Sequence, residues 1–156
     1  MSDRIFLRRY LKTDRNGFVR LNTDPEVRKY MNGALDANKA SEVFERVMGE
    51  EFTFAVIEKD SGDFIGHIFI SATESPEEGE LGFMFFKKFW GRGFATEACS
   101  ALISTSLEDA KFSSLVATID VGHEPSLKVI KKLGFSFHSE EKDEYGPYLI
   151  YKKPLA

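Results

Sequence analysis

The segment Trp90-Gly91-Arg92-Gly93-Phe94-Ala95-Thr96 has the residue types needed to hold an anion. Two glycines one residue apart allow left-handed backbone angles and can turn several N–H groups toward one point. A helix opening beside them adds unpaired donors and about half a positive charge at its first turn, so a phosphate or diphosphate is the fitting ligand. Two familiar phosphate motifs do not match. The dinucleotide pattern needs a glycine or alanine three residues after the second glycine, where Thr96 stands, and Walker A ends in Gly-Lys-Ser/Thr. Taken alone, Gly-x-Gly also suits a tight strand-to-helix turn with no ligand. A second cluster, Glu77-Glu78-Gly79-Glu80, reads either as a solvated acidic turn or as an attractor for a cationic molecule. Cys99 is the single cysteine and His67, His123 and His138 are the histidines, so neither an internal disulfide nor a zinc-ligand cluster is expected.

The loop has to be positioned by its neighbours. Residues 80–86 form an apolar stretch with the character of a central strand, and residues 95–111 read as a long helix, which places the glycines at a strand-to-helix junction. Upstream, residues 4–9 read as an opening strand, and Thr13 can cap a helix to about Leu21. Asp24-Pro25 is a second helix start that puts Val27, Tyr30 and Met31 on one face. A further helix over 37–48 carries Val43, Phe44, Val47 and Met48 at helical spacing. Residues 52–58 and 64–71 form a hairpin through Asp60-Ser61-Gly62-Asp63. Downstream, 115–121 is a strand, 125–133 a helix stopped by Gly134, and 135–139 with 148–152 a second hairpin. The expected class is mixed α and β: a mostly antiparallel mixed sheet of about 6–7 strands flanked by about 4 helices, with one strand–helix–strand unit.

Composition narrows the function. The chain has 156 residues, the size of one domain, and 42% are hydrophobic. Its 21 Lys and Arg against 25 Asp and Glu give a net charge of −4, which argues against nucleic acid as a partner. Fifteen Phe and a 13% aromatic share argue for a packed core. The longest charge-free stretches, 64–73 and 98–107, are about half the length of a membrane span. Met1-Ser2-Asp3-Arg4 opens without an apolar signal segment, so a reducing cytoplasm is the expected setting.

Over nearly the whole chain the pattern resembles the GNAT superfamily of acyl-CoA-dependent N-acetyltransferases, and within it the RimJ/RimL type. Leu7-Arg8-Arg9, Asp24-Pro25-Glu26-Val27-Arg28-Lys29-Tyr30, Glu80-Leu81-Gly82-Phe83, Trp90 through Ala98, and Ser126 with Leu133-Gly134-Phe135 carry the likeness. In the superfamily loop motif, Gln or Arg leads to Gly and then Gly or Ala; here Trp90, Gly93 and Ala95 occupy those places. The resemblance implies a single GNAT domain with acetyl-CoA as co-substrate and no metal. The diphosphate would lie on the N–H groups of Arg92, Gly93, Phe94, Ala95 and Thr96, and the pantetheine arm beside Phe83, Met84 and Phe85. Arg92 has two readings, a guanidinium on phosphate or an exposed loop arginine.

The resemblance also proposes chemistry. Glu80 begins the strand at the reacting centre and is the candidate base, acting through water, with Glu77 and Glu78 crowding it with like charge. Ser126 matches the serine of an Asn-x-x-Ser pattern and would protonate the departing thiolate; a capping serine is the competing reading. Two residues depart from the pattern. His123 stands where the pattern has Asn and either keeps or alters a hydrogen bond to the cofactor. Ile130 stands where many relatives carry a tyrosine acid, leaving that role to Ser126, to Tyr145 or Tyr148, or to water.

Deprotonating a lysine-like amine at pH 7 costs roughly 4.6 kcal/mol, an α-amine about 1–1.4 kcal/mol. A site without a strong base favours the second. The expected acceptor is therefore a primary amine, foremost a protein N-terminal α-amine, with a small-molecule amine, or a non-catalytic acyl-CoA-binding module, as the alternatives. A monomer or homodimer is expected.

Overall fold

The structure, a computed structural model, describes residues 4–109 and 111–155. Seven strands form one sheet: β1 (Ile5–Arg8), β2 (Thr53–Glu58), β3 (Phe64–Ala72), β4 (Glu78–Phe85), β5 (Ser114–Asp120), β6 (Ser136–Asp143) and β7 (Gly146–Pro154). Four helices flank it: α1 (Arg15–Thr23), α2 (Ala37–Val47), α3 (Phe94–Asp109) and α4 (Glu124–Lys132). The order across the sheet is β1-β2-β3-β4-β5-β7-β6, antiparallel throughout except for β4 beside β5, which is parallel. A parallel pair needs a crossover, and α3 supplies it. The mixed α and β class and the element count follow the sequence reading.

Two apolar clusters separate the faces. The larger, including Ile68, Leu81, Phe85, Phe94, Leu102, Leu115, Ile119 and Ile130, joins α3 and α4 to β3, β4 and β5. The smaller, Tyr10, Phe18, Phe44, Val47, Ala55 and Ile57, packs α1 and α2 on the other face. In α2 the buried Ala40, Phe44 and Val47 repeat at intervals of four and three, and Asp36 Oδ1 caps the helix by accepting from Lys39 N at 2.8 Å. Tyr10 Oη lies 2.7 Å from His67 Nδ1 beneath this layer; burial, with Arg28 nearby, pushes His67 down to about 4, so that ring is neutral. In α4 the end is fixed by Gly134 at φ +89°, with Phe135 N donating to Ile130 O and Gly134 N to Lys131 O, a Schellman closure.

The sheet is split at its centre. The β4–β5 ladder holds only Glu78↔Ser114, Gly79↔Leu115 and Glu80↔Val116. Beyond that point β4 continues to Phe85 against β3, and β5 continues to Asp120 against β7. The two strands therefore part and leave a fork between them.

Two sequence expectations are corrected. Thr13 does not cap a helix; residues 12–14 form a 3₁₀ turn before α1. The second helix at Asp24-Pro25 does not form. Asp24 Oδ1 does accept from Glu26 N at 2.9 Å, yet residues 25–32 run as successive turns. The Arg28 guanidinium donates to Met31 O, Gly33 O and Asn22 Oδ1, taking up carbonyls near the segment's end, and Asn32 and Gly33 at positive φ halt helical propagation.

Asp14 ties β1 to α1. It accepts from Arg8 Nη1 at 2.7 Å, Arg8 Nη2 at 3.0 Å and Leu11 N at 2.7 Å. Burial alone would raise this carboxyl, but the Arg8 and Leu11 hydrogen bonds outweigh it and hold it below its usual range. A depressed folded-state value stabilises the fold above the unfolded carboxylate range and is lost as pH falls through the lower one. Asp14→Asn is expected to cost about 1.5–3 kcal/mol at pH 7 and to flatten the loss of stability below about pH 4, measured by urea unfolding. Equal stability of the two proteins at pH 7 contradicts this.

Candidate active site

A cavity of about 590 Å³ opens at the fork. Its walls are the end of β4 (Phe83, Met84, Phe85), the loop and first turn of α3 (Phe89, Trp90, Gly91, Gly93, Phe94, Ala95, Thr96), the start of α4 (His123, Glu124, Pro125, Ser126, Lys128, Val129, Lys132), and Val27 and Met31 from the turn segment. The volume suits a sizeable organic ligand.

The loop is built by its glycines and tied at three points. Gly91 and Gly93 sit at φ +71° and +82°, angles that only glycine adopts freely. Trp90 Nε1 donates to Phe85 O at 2.8 Å, fixing the loop to the end of β4. Arg4 Nη1 donates to Arg92 O at 2.8 Å, while Arg4 Nε and N donate to the Glu97 carboxylate and its guanidinium lies 4.2 Å from the Phe94 ring centre. Glu97 N donates to Gly93 O, so the N–H groups of residues 93–96 precede the first bond of the helix. Those donors meet the cavity at the positive end of a 16-residue helix.

Of the sequence candidates, Phe83, Met84, Phe85, Gly93, Phe94, Ala95, Thr96, His123 and Ser126 are brought to one cavity. Arg92 and Glu80 are not in its lining. The Arg92 guanidinium lies 4.9 Å from the Phe94 ring centre and 5.6 Å from that of Phe89, which occupies its side chain with aromatic faces. Glu80 stands at the vertex of the fork, in the last β4–β5 pair, where Thr118 Oγ1 donates to its Oε2 at 3.1 Å. Of the acidic run, Glu78 pairs with Lys152 at 3.2 Å, and the main-chain carbonyl of Glu77 accepts from Ser113 N at the mouth of β5. Ser126 Oγ lies 3.2 Å from His123 Nε2. The His123 ring stacks on Tyr30, centroids 4.6 Å apart and 16° from parallel.

Several wall residues were absent from the sequence candidates. Lys128 and Lys132 bring positive charge to the cavity from positions four apart on α4, a spacing that was readable. Arg4 reaches the loop across 88 positions, and no local pattern shows that. Burial lowers His123 from its ordinary range and raises Asp120, with Asp143 adding like-charge repulsion at Asp120. Among the described residues no group of metal-binding side chains occurs, and no helix is long and apolar enough to cross a membrane.

The acetyltransferase (GNAT) domain model matches residues 4–136. The chain belongs to the GNAT family and is an N-acetyltransferase. It is 28% identical to the uncharacterized protein YkkB of Bacillus subtilis, over 98% of this chain and 94% of that one. It is 27% identical to the uncharacterized N-acetyltransferase p20 of Bacillus licheniformis, over 86% and 80%. Among solved structures, a GNAT acetyltransferase from Bacillus anthracis superposes with TM-score 0.90 at 22% identity, covering 99% and 97%. The spermidine N-acetyltransferase of Vibrio cholerae, in complex with CoA and spermine, gives 0.84 at 13%, covering 97% and 96%. The ribosomal-protein-S5-alanine acetyltransferase of Vibrio fischeri gives 0.81 at 16%, covering 99% and 94%.

Cys99 faces the core of α3 and burial pushes its thiol well up, so it offers no thiolate for a covalent intermediate. Its thiol is expected to react with Ellman's reagent only on unfolding, and Cys99→Ala to keep acetyl transfer. Rapid labelling of the native protein together with an inactive alanine variant contradicts this.

Proposed function

We propose that the chain moves the acetyl group of acetyl-CoA to a primary amine by direct attack, and that a protein N-terminal α-amine is the preferred acceptor. The observation that carries the reading is the opening of the helix terminus and the unpaired end of β4 into one cavity. Residues 92–96 would receive the diphosphate on their N–H groups, with Lys128 and Lys132 adding charge. The edge of β4 at Phe83, Met84 and Phe85 would pair with the amides of the pantetheine arm, as an added strand does. This directs the thioester toward the fork, between Glu80 and Ser126.

There the amine nitrogen attacks the thioester carbon. Glu80 would draw the amine's proton through water at the vertex. Ser126 Oγ–H would supply a proton to the thiolate as the carbon–sulfur bond breaks. Ile130 is buried in the core and offers no acid at that position; Ser126 lines the cavity and Tyr145 and Tyr148 do not, which supports the serine over those tyrosines. An α-amine, whose deprotonation costs about 1–1.4 kcal/mol at pH 7, asks less of this site than a lysine-like amine does.

A second reading, a small cationic amine as acceptor, is favoured by the closeness of Asp120 and Asp143 beyond the end of the fork, and by likeness to a spermidine N-acetyltransferase. A thiol-release assay with acetyl-CoA, over peptides with free α-amines and over polyamines, decides between them. Fastest turnover is expected on peptides with free N-termini; turnover on polyamines alone makes the second reading correct, and silence on both with CoA bound rejects catalysis.

Gly93→Val is expected to weaken CoA binding at least about tenfold in calorimetry while the protein still unfolds cooperatively. A Cβ there lies 3.2 Å from the flexible Arg4 Nη2, so the main obstacle is the positive φ, a strain of about 1–3 kcal/mol that the loop relieves by moving its N–H groups. Wild-type affinity in this variant removes the loop from the binding site.

A further inference from the structure

Ser126 does not stand alone in the cavity wall. Its Oγ lies 3.2 Å from His123 Nε2, and the imidazole stacks on Tyr30 with centroids 4.6 Å apart. The His123 main chain is fixed as well, its backbone N–H donating to Asp120 O at 3.0 Å and its carbonyl accepting from Leu127 N at 3.2 Å. Gly122, at φ +99°, turns the chain just before His123, an angle that favours glycine. A capping serine has no use for such an arrangement, and α4 receives no side-chain cap from His123.

We propose that His123 is a positioning residue that acts through Ser126, storing on Nε2 the proton that passes from the attacking amine to the departing sulfur. This rests on the acetyl-CoA reading above and replaces both its Glu80 base and its separate acid with a two-residue relay. Nδ1 carries the ring proton and Nε2 accepts the Ser126 hydroxyl. As the amine nitrogen bonds to the thioester carbon, its proton moves to Ser126 Oγ and the hydroxyl proton moves to Nε2. When the carbon–sulfur bond breaks, the electron pair leaves on sulfur. Sulfur takes the Oγ proton, and Oγ recovers the proton from Nε2. The protein ends as it began, and the products are an amide and a thiol.

The surroundings favour a ring that is neutral before the reaction. Burial lowers the imidazole from its ordinary value of 6.5. The charged groups sharing its cavity are Glu124, Lys128 and Lys132 of α4, and Lys29 Nζ lies 5.4 Å from the Tyr30 ring centre. Beneath it is Asp120, and Tyr30 is the titratable group stacked against it.

The test compares wild type with His123→Gln, His123→Asn and Ser126→Ala, using acetyl-CoA and the fastest amine of the thiol-release panel from pH 5 to 9. Both His123 variants are expected to lose about 10–100-fold in kcat, while their calorimetric Kd for CoA stays within about threefold of wild type. The wild-type kcat should decline in acid with an apparent pKa below 6.5, and this limb should vanish in the variants. His123→Gln combined with Ser126→Ala should be no slower than Ser126→Ala alone. Histidine ¹³C NMR of the CoA-saturated protein, which needs no acceptor, should show, besides the buried His67 ring, a ring titrating below 6.5 whose midpoint moves in Ser126→Ala. Full kcat in both folded His123 variants, a loss confined to CoA affinity, or an acid limb that persists without His123 overturns the relay. A wild-type protein that releases no thiol with any amine fails the acetyl-transfer reading itself, a separate result.

Discussion

The structure depends on a ladder that stops early. Three residues of β4 pair with β5, and then each strand keeps only its other neighbour. Unpaired main-chain groups inside a sheet are costly, so an open fork at the centre of a seven-stranded sheet is tolerated only where water or a ligand can satisfy them. What keeps the fork open is the arrangement around it. Crossover helix α3 leaves β4 through the glycine loop and packs Phe94, Ala98 and Leu102 under the sheet, and α4 leaves β5 from the opposite rim with Ile130 in the same core. Two helices anchored in one cluster hold the two strand ends apart.

That constraint brings distinct chemistries together. The start of α3 offers N–H donors and partial positive charge, β4 offers a free strand edge, and the start of α4 offers a hydroxyl beside an imidazole. The proposed ligand, with a diphosphate at one end, amides in the middle and a thioester at the other, would meet these in that order. The aromatic stack between Tyr30 and His123 then links the α1–α2 connection to the rim of α4.

Local signals made much of this legible. The glycine loop, the α2 stripe, the Gly62 hairpin and the Gly134 stop depend on near neighbours in the chain, and their residue types declared them. Glu80 was singled out by resemblance, but its place at the vertex depends on where a ladder ends, which no alternation of side chains encodes. Residues 24–33 misled the reading for a physical reason: Asp24-Pro25 is a sound helix start, yet Arg28 spends its guanidinium on carbonyls of the same segment and Asn32-Gly33 turns the chain. The Arg4 contact with the loop, the aromatic seat of Arg92 and the His123–Tyr30 stack are tertiary events between distant positions. The sequence held the residues and not their meeting.

The central claim is that the first turn of α3 receives the diphosphate of coenzyme A. Its most direct test is a titration of ¹⁵N-labelled protein with CoA, following the backbone amides one by one. The largest shifts should fall on the amides of Gly93, Phe94, Ala95 and Thr96, and CoA lacking the diphosphate, as free pantetheine, should leave them in place. Saturation with CoA that leaves these four amides unmoved, with the shifts gathered elsewhere on the molecule, would contradict the account.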